Sequence, residues 1–289
     1  MKRMDTKRRA AIIAALVEGV GIRSTCRMTG ASKGAVLRLI SDLGPVCAAY
    51  MDQAFHDLPC SVLEVDEIWA FCFAKAKNVP EDKKGTFGYG DVWTFTAICA
   101  DTKLIPSYMV GPRDGGTATE FCQDLASRLA GRAQITSDGL KLYEGAMADA
   151  FGGDVDFAML QKIYAASPGG ETRYSPAECI GCEKRAVSGN PNPARVSTSY
   201  VERSNLSMRM GLRRYTRLTN GHSKKLENHC AALAIYFMHY NFARIHSSIR
   251  CSPAMAAGVT SHLWSVEEIV NLLPVEAPKK RGPYKKRAA

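Results

Sequence analysis

Long apolar runs are missing from this 289-residue chain, so no segment is expected to be long enough to span a bilayer and no membrane partner is expected. No secretory leader is expected either: the sequence opens Met1-Lys2-Arg3-Met4-Asp5, and its first apolar run, residues 10–17, is short and has no cleavage-like site. The ten cysteines do not bound short loops. Cys72, Cys99, Cys122 and Cys230 fall within expected helices and strands, which fits reduced thiols in a cytoplasm and excludes a disulfide scaffold. Cys179 and Cys182 form a lone Cys-x-x-Cys with no second pair nearby, and a zinc knuckle needs four ligands, so the pair reads as incidental. The most informative absence is of acid. Residues 203–225 hold seven Lys/Arg and no Asp or Glu, and residues 279–287 hold six Lys/Arg and no acid.

The net charge of +10 is therefore unevenly placed. Residues 1–60 carry nine Lys/Arg against five Asp/Glu, while the 218 residues from 61 to 278 carry 23 of each sign. Charge concentrated locally is what a polyanion-binding groove requires, and nucleic acid is the leading partner.

Residues 7–44 read as three short helices, 7–16, 22–28 and 33–43, with breaks at Gly19/Gly21 and at the turn 29–32, where Ser32 is a natural N-cap. This spacing fits a helix-turn-helix with Lys33 and Arg38 on the exposed face of its third helix. The plainer alternative is a helical oligomerisation arm. From residue 61 the period changes. Residues 62–73, 91–100 and 104–110 are rich in β-branched and aromatic residues and predict an antiparallel meander. A helix is expected at 117–130, a strand at 134–136, a helix at 140–150 and a strand at 155–160. Residues 165–198, with Pro168-Gly169-Gly170 and little periodicity, read as a loop insertion, followed by helices at 199–212 and 224–246.

The order β-β-β-α-β-α-β-α predicts an α/β fold, a ribonuclease-H-like mixed sheet flanked by helices, preceded by a small all-α helix-turn-helix domain. The corresponding division is 1–58 for the DNA-binding helices, 59–250 for the α/β domain, 251–276 for a C-terminal helical segment and 277–289 for a basic disordered tail.

Three acids stand out on this framework: Asp66 in the first strand, Asp138 at the carboxyl end of the fourth, and Glu202 on the helix that follows the insertion. Sheet ends of this kind are where open α/β folds place ligands. Carboxylates are the hard ligands Mg²⁺ prefers, and two such ions activate an attacking oxygen and stabilise a leaving one at phosphorus. Glu202, Asn205 and Arg209 share one helical face, which the spacing predicts to point outward. Each acid also has a structural reading: Asp138 as an N-cap, Glu202 as a first-turn acid favoured by the helix dipole, and Asp66 as a surface strand residue. His229, near a buried stripe, and His246, at a helix end, read as structural.

The segment from Thr198 through Tyr200-Val201-Glu202-Arg203-Ser204-Asn205 to Met210, continuing through Arg213-Arg214-Tyr215-Thr216-Arg217 to Lys224-Lys225-Leu226-Glu227-Asn228-His229, resembles the insertion-sequence-one family of bacterial DDE transposases. Tyr240-Asn241-Phe242-Ala243-Arg244-Ile245-His246 and Ser252-Pro253-Ala254-Met255 resemble the segment closing many such catalytic domains. Val65-Asp66-Glu67-Ile68-Trp69 and Thr136-Ser137-Asp138-Gly139 match the first two acidic motifs. The likeness covers roughly residues 60–265, and the 165–198 insertion accounts for the 64-position separation of Asp138 and Glu202. It implies a ribonuclease-H-like fold and a metal-binding catalytic triad of Asp66, Asp138 and Glu202, with Asn205 and Arg209 beside it. It further implies Mg²⁺ as cofactor, with Mn²⁺ as a substitute and no nucleotide cofactor. The implied reaction is cutting and joining of double-stranded DNA at element ends, with water as the first nucleophile and the freed 3′-hydroxyl as the second.

Residues expected on DNA are Lys33, Arg38, Arg203, Arg213, Arg214, Arg217, Lys224, Lys225, Lys279, Lys280 and Arg281. Synapsis of two ends implies a homodimer or larger assembly on DNA in a bacterial cytoplasm, at the nucleoid. Rival readings are a catalytically silent DNA-binding regulator derived from a transposase and a ribonuclease-H-like nuclease.

Overall fold

The computed structural model describes residues 4–165, 179–216 and 219–274. Its first three helices are α1 (Thr6–Val17), α2 (Ile22–Thr29) and α3 (Lys33–Ala54), of which α1 and α3 begin at side-chain caps. Asp5 accepts the Arg8 amide, Ser32 accepts the Ala35 amide, and Gly30 closes α2 at φ 66°.

The third helix runs past residue 43, its expected end, and continues to Ala54 with Pro45 inside it. Packing overrides the breaker. A Cβ on Gly44 would lie 2.4 Å from the Ala231 Cα, so glycine permits close approach of α3 to α7 (Leu226–Met238). At 22 residues α3 is long and apolar enough to cross a membrane by length and composition, contrary to expectation. Val36, Leu39, Ile40, Leu43, Cys47 and Met51 nevertheless form a buried face, and α3 packs against α7.

The six-stranded sheet comprises β1 (Val62–Cys72), β2 (Gly90–Cys99), β3 (Tyr108–Gly111), β4 (Ala133–Ser137), β5 (Val155–Tyr164) and β6 (Cys179–Ser188). Its order is β3-β2-β1-β4-β5-β6. The first three strands pair antiparallel, β4 joins parallel to β1, β5 joins parallel to β4, and β6 closes antiparallel on β5. Helices α4 (Gly115–Arg128) and α5 (Leu142–Phe151) fall between strands, and α6 (Ser199–Gly211) crosses β1 and β2. A mixed sheet with this order, flanked by helices, is the expected ribonuclease-H-like α/β fold. Apolar side chains of α1, α3, α7 and the sheet share one continuous core.

Three further expectations are corrected. Residues 165–198 are not only loop, because β6 lies within them. Most of its residues are exposed and it carries Glu183, Lys184 and Arg185, so no apolar alternation marked it. The third strand begins at Tyr108, not at 104, because Pro106 lacks the N–H a ladder needs while Leu104 and Ile105 are buried by packing. The expected helix 224–246 is α7 followed by a π-helical turn, His239–Ala243. Short helices α8 (Pro253–Ala256) and α9 (Val266–Asn271) follow. The expected tail 277–289, with Lys279, Lys280 and Arg281, and also Arg217, lie outside the described residues.

Candidate active site

The site is set by a difference in strand length. β4 pairs with β1 only across Val62–Val65, ending at Val65↔Ser137, and pairs with β5 as far as Ser137↔Met159. Both neighbours run on, β1 to Cys72 and β5 to Tyr164. The end of β4 is therefore a notch between two longer strands. Asp138 follows directly on Ser137, and Asp66 is the first β1 residue past the paired stretch.

Oxygens of Asp66, Glu67 and Asp138 lie within 4.8 Å of one another. Asp66 Oδ1 accepts the Glu67 amide at 2.8 Å, and Oδ2 accepts Asn205 Nδ2 at 2.7 Å. Glu67 is held by Arg113 Nε at 2.9 Å and Nη2 at 2.5 Å, and by the Tyr143 hydroxyl at 3.3 Å. Asp138 Oδ1 accepts the Leu140 amide at 3.0 Å, so it orders its own turn as well as facing Asp66. Lys141, not Asp138, occupies the N-cap position of α5.

Burial, then the negative charges of Glu67 and Asp138, push the Asp66 pKa up to about 7, and Glu202 adds to the same effect. Burial likewise raises Glu67, against the opposing hydrogen bond from Arg113. A cluster of carboxylates whose ionisation is resisted by its surroundings is a site that gains from a cation. Three hard oxygen donors this close suit a small divalent ion such as Mg²⁺ better than a thiolate-seeking one.

Glu202 occupies the first turn of α6 but is not in that group of three. Both its oxygens accept Lys162 Nζ at 2.5 Å, and Oε1 also accepts Thr198 Oγ1 at 2.7 Å. Lys162 extends from β5 on the far wall of the notch. Its pKa is lowered by burial, yet the Glu202 hydrogen bond and charge raise it overall. Asn205 does not share an outward face with Glu202, because it is 4 % exposed and turned onto Asp66. Arg209 is half-buried in the last turn, where its carbonyl accepts Thr216 Oγ1 at 3.2 Å.

No protein-family model matches the chain, and no curated protein matches it. Among solved structures, the Mos1 strand transfer complex matches at 12 % identity and a TM-score of 0.24, covering 54 % of this chain and 59 % of that one. The piggyBac transposase synaptic complex with hairpin DNA matches at 11 % identity and 0.37, covering 97 % and 78 %. The C-terminal lobe of a budding yeast Argonaute matches at 9 % and 0.25, covering 83 % and 62 %. The chain thus spans 59 % of the length of the Mos1 chain. The fold assignment rests on strand order and connectivity.

Residue-by-residue reading of the sequence missed four participants. Glu64, 1 % exposed, accepts the Tyr200 and Val201 amides at 2.7 and 2.9 Å, so a β1 carboxylate anchors the first turn of α6. The others are Glu67, its clamp Arg113, and Lys162. The available signal was the acid density of Glu64, Asp66 and Glu67 within one strand, which a solvated strand would not bury.

Of the expected DNA contacts, Lys33, Arg38, Arg203, Arg213, Lys224 and Lys225 are exposed. Arg214 is half-buried and donates to Ser223 Oγ at 2.9 Å. His229 is fully buried between Tyr215 and Ser223, and His246 bonds Ser248 at a turn, in keeping with structural roles. Cys179 and Cys182 are exposed free thiols on β6.

Proposed function

We propose that this chain is a DDE-type DNA transposase of the insertion-sequence-one-like kind, acting on double-stranded DNA at element ends. The observation that carries this reading is the Asp66, Glu67 and Asp138 oxygen cluster, within 4.8 Å, at the notch where β4 ends between longer strands. Asp66 and Asp138, joined by Glu202 from α6, would hold Mg²⁺, or Mn²⁺ in its place. Bound there, divalent ions would polarise the phosphodiester and lower the pKa of an attacking hydroxyl.

The chain's own residues supply the geometry. Asn205 and the Glu67 amide fix the two Asp66 oxygens, and Glu64 sets where α6 begins, hence where Glu202 stands. Lys162 holds Glu202 against the β5 wall and offers a cation to a phosphate that draws it away. In the proposed first step water breaks a phosphodiester and leaves a 3′-hydroxyl and a 5′-phosphate. In the second, that 3′-hydroxyl attacks a target phosphate and expels a different 3′-oxygen, so one phosphodiester replaces another. The exposed cations of 203–225 bind DNA phosphates, and a helix-turn-helix in α2 and α3 presents Lys33 and Arg38 to the duplex. Pairing of two ends would use a homodimer or larger assembly at the bacterial nucleoid.

The Lys162 pair on Glu202 favours one second reading, a DNA-binding regulator with a silenced site. The two separate on one experiment. Asp138→Ala is expected to abolish metal-dependent strand cleavage and joining while leaving duplex affinity intact. Wild-type protein that binds element ends but cuts nothing across Mg²⁺ and Mn²⁺ titrations supports the regulator, and an unchanged joining yield in the variant overturns the triad.

A further inference from the structure

Two recesses beyond the acidic cluster are joined into one groove. The first, about 700 Å³, is lined by Phe71 and Phe73 from the end of β1, Lys75, Arg213, His222 and Lys224, among others. The second, about 680 Å³, runs between α1–α3 and the segment leading into α7, over an apolar floor that includes Leu16, Leu37 and Ile40. They share Arg213, Asn220, His222 and Lys224.

Three features of this groove are independent of one another. Its second half is lined by six cations, Arg23, Lys33, Arg213, Arg214, Lys224 and Lys225, and among the described lining residues of either half there is no Asp or Glu. Nor does any of these six make an ion pair among the described residues, although Arg128, Arg132 and Arg185 elsewhere are each matched by carboxylates. Rings also line it: Phe71 stacks on His222 with centroids 4.5 Å apart, Lys75 Nζ lies 6.0 Å from the Phe71 centroid, and Lys83 Nζ sits 4.7 Å over Phe73. Finally, the end of β1 and the 222–223 segment are tied together, because the Phe73 amide donates to the Ser223 carbonyl at 2.9 Å and His222 Nε2 contacts the Phe73 carbonyl at 3.2 Å.

Unmatched cations alone would suit the outside of a duplex. A duplex, however, keeps its bases stacked and paired, so it gives rings and an apolar floor inside a recess nothing to hold. Unpaired nucleotides present both a phosphate for the cations and a flat face for the rings. We propose that this groove binds single-stranded DNA, with bases against Phe71 and His222 and phosphates on Arg213, Lys224 and Lys75. Phe71 lies five residues beyond Asp66 on the same strand, roughly 17 Å at the usual strand rise, and four beyond Glu67, whose face of the strand it shares. A strand freed at the acidic cluster would have a channel a few nucleotides away. The source of that strand rests on the transposase reading, whereas the binding itself does not.

The test is fluorescence anisotropy with the full-length protein in EDTA, using labelled oligo-dT and a mixed-sequence duplex of equal length. Phe71→Ala is expected to weaken oligo-dT binding about tenfold, since base–aromatic stacking contributes about 1–3 kcal/mol per base. Duplex affinity should stay within about twofold, and Phe71→Trp should restore single-strand binding. The exposed Lys75→Glu, which does not touch the core, should show the same selectivity should Phe71→Ala fail to fold. Equal losses on both DNA forms, no loss on either, or tighter binding of oligo-U than of oligo-dT would each overturn the proposal. Failure of the transposase reading would show separately, as absent cleavage in Mg²⁺ with selective binding in EDTA retained.

Discussion

Asn205 donates from Nδ2 to Asp66 Oδ2 at 2.7 Å, linking a helix to a strand 139 residues away in the sequence. The Glu67 amide takes the other Asp66 oxygen at 2.8 Å, so the carboxylate is oriented before any ligand arrives. The helix is itself placed by a carboxylate two residues earlier on the same strand, because Glu64 receives the amides of Tyr200 and Val201. One strand thus both carries an acid of the site and mounts the helix that supports it.

Replacing Asn205 tests that support. Asn205→Ala is expected to lower metal-dependent strand cleavage about tenfold or more with duplex affinity unchanged, because a freely rotating Asp66 holds a cation less well. Unfolding free energy in urea should fall by about 1 kcal/mol, the usual net value of a buried hydrogen bond, offset in part by loss of the buried, unpartnered Asn205 Oδ1. Full activity in the variant would remove Asn205 from the site.

Asp66 itself should trade stability for function. Its folded pKa of about 7 lies above the ordinary carboxylate value, so the folded state favours the protonated form. The stabilisation from that protonated form is complete below about pH 4 and is lost as pH rises through 7. Asp66→Asn is therefore expected to unfold at a higher temperature than wild type at pH 8 in EDTA, with the gap closing toward pH 4, while cleavage is abolished. Saturating Mg²⁺ should narrow the gap at pH 8 by stabilising only the wild type. A variant less stable than wild type at pH 8 would contradict the crowding of carboxylates around Asp66.

Lys162 sets a third expectation. Its pair with Glu202 is partly exposed on both sides, at 32 and 44 % of side-chain surface. Such pairs contribute no more than about 1 kcal/mol. Lys162→Gln should therefore lower the Mg²⁺ concentration for half-maximal cleavage by no more than about fivefold, by freeing Glu202. Glu202→Gln should abolish cleavage at every Mg²⁺ concentration. An increased Mg²⁺ requirement in Lys162→Gln would show that Lys162 assists the site and does not restrain Glu202.

The parts of this site that were legible in the sequence are those fixed by local periodicity. Asp66 on a strand and Asp138 at a strand end followed from alternation and from the Gly139 turn, and the sheet order followed from the succession of elements. What was not legible depends on contacts across long separations. The inward turn of Asn205 is imposed by Asp66, and the anchoring of α6 by Glu64 needs two segments 136 residues apart. β6 escaped notice because an exposed edge strand needs no apolar face, and α3 outran its expected end at residue 43 because Ala231 packs where a side chain at Gly44 would be. In each case tertiary packing decided against a local preference.

Acid lability should have His229 as one source, beside His239, whose pKa burial lowers to about 4. His229 is fully buried, with Nε2 3.0 Å from the Tyr215 hydroxyl and Nδ1 3.0 Å from Ser223 Oγ, and Tyr215 continues to Thr94 at 2.6 Å. Burial, then the neighbouring positive charge of Arg214, lowers its pKa from 6.5 to about 3. Because the folded value lies below the unfolded one, the unfolded chain takes up the extra proton first. The stability tied to the neutral ring is complete above pH 6.5 and is lost as pH falls from there toward 3, with a limiting slope of about 1.4 kcal/mol per pH unit. The raised carboxylates of the site act in the opposite direction, so the total slope does not isolate the ring. His229→Gln does, since it keeps hydrogen-bonding groups and removes the titration. The variant should be less stable than wild type at pH 7, and the difference, measured by urea unfolding, should shrink steadily between pH 6.5 and 5. A difference independent of pH would falsify the neutral buried ring, and so, without any mutation, would an imidazole resonance of His229 that titrates near 6.5.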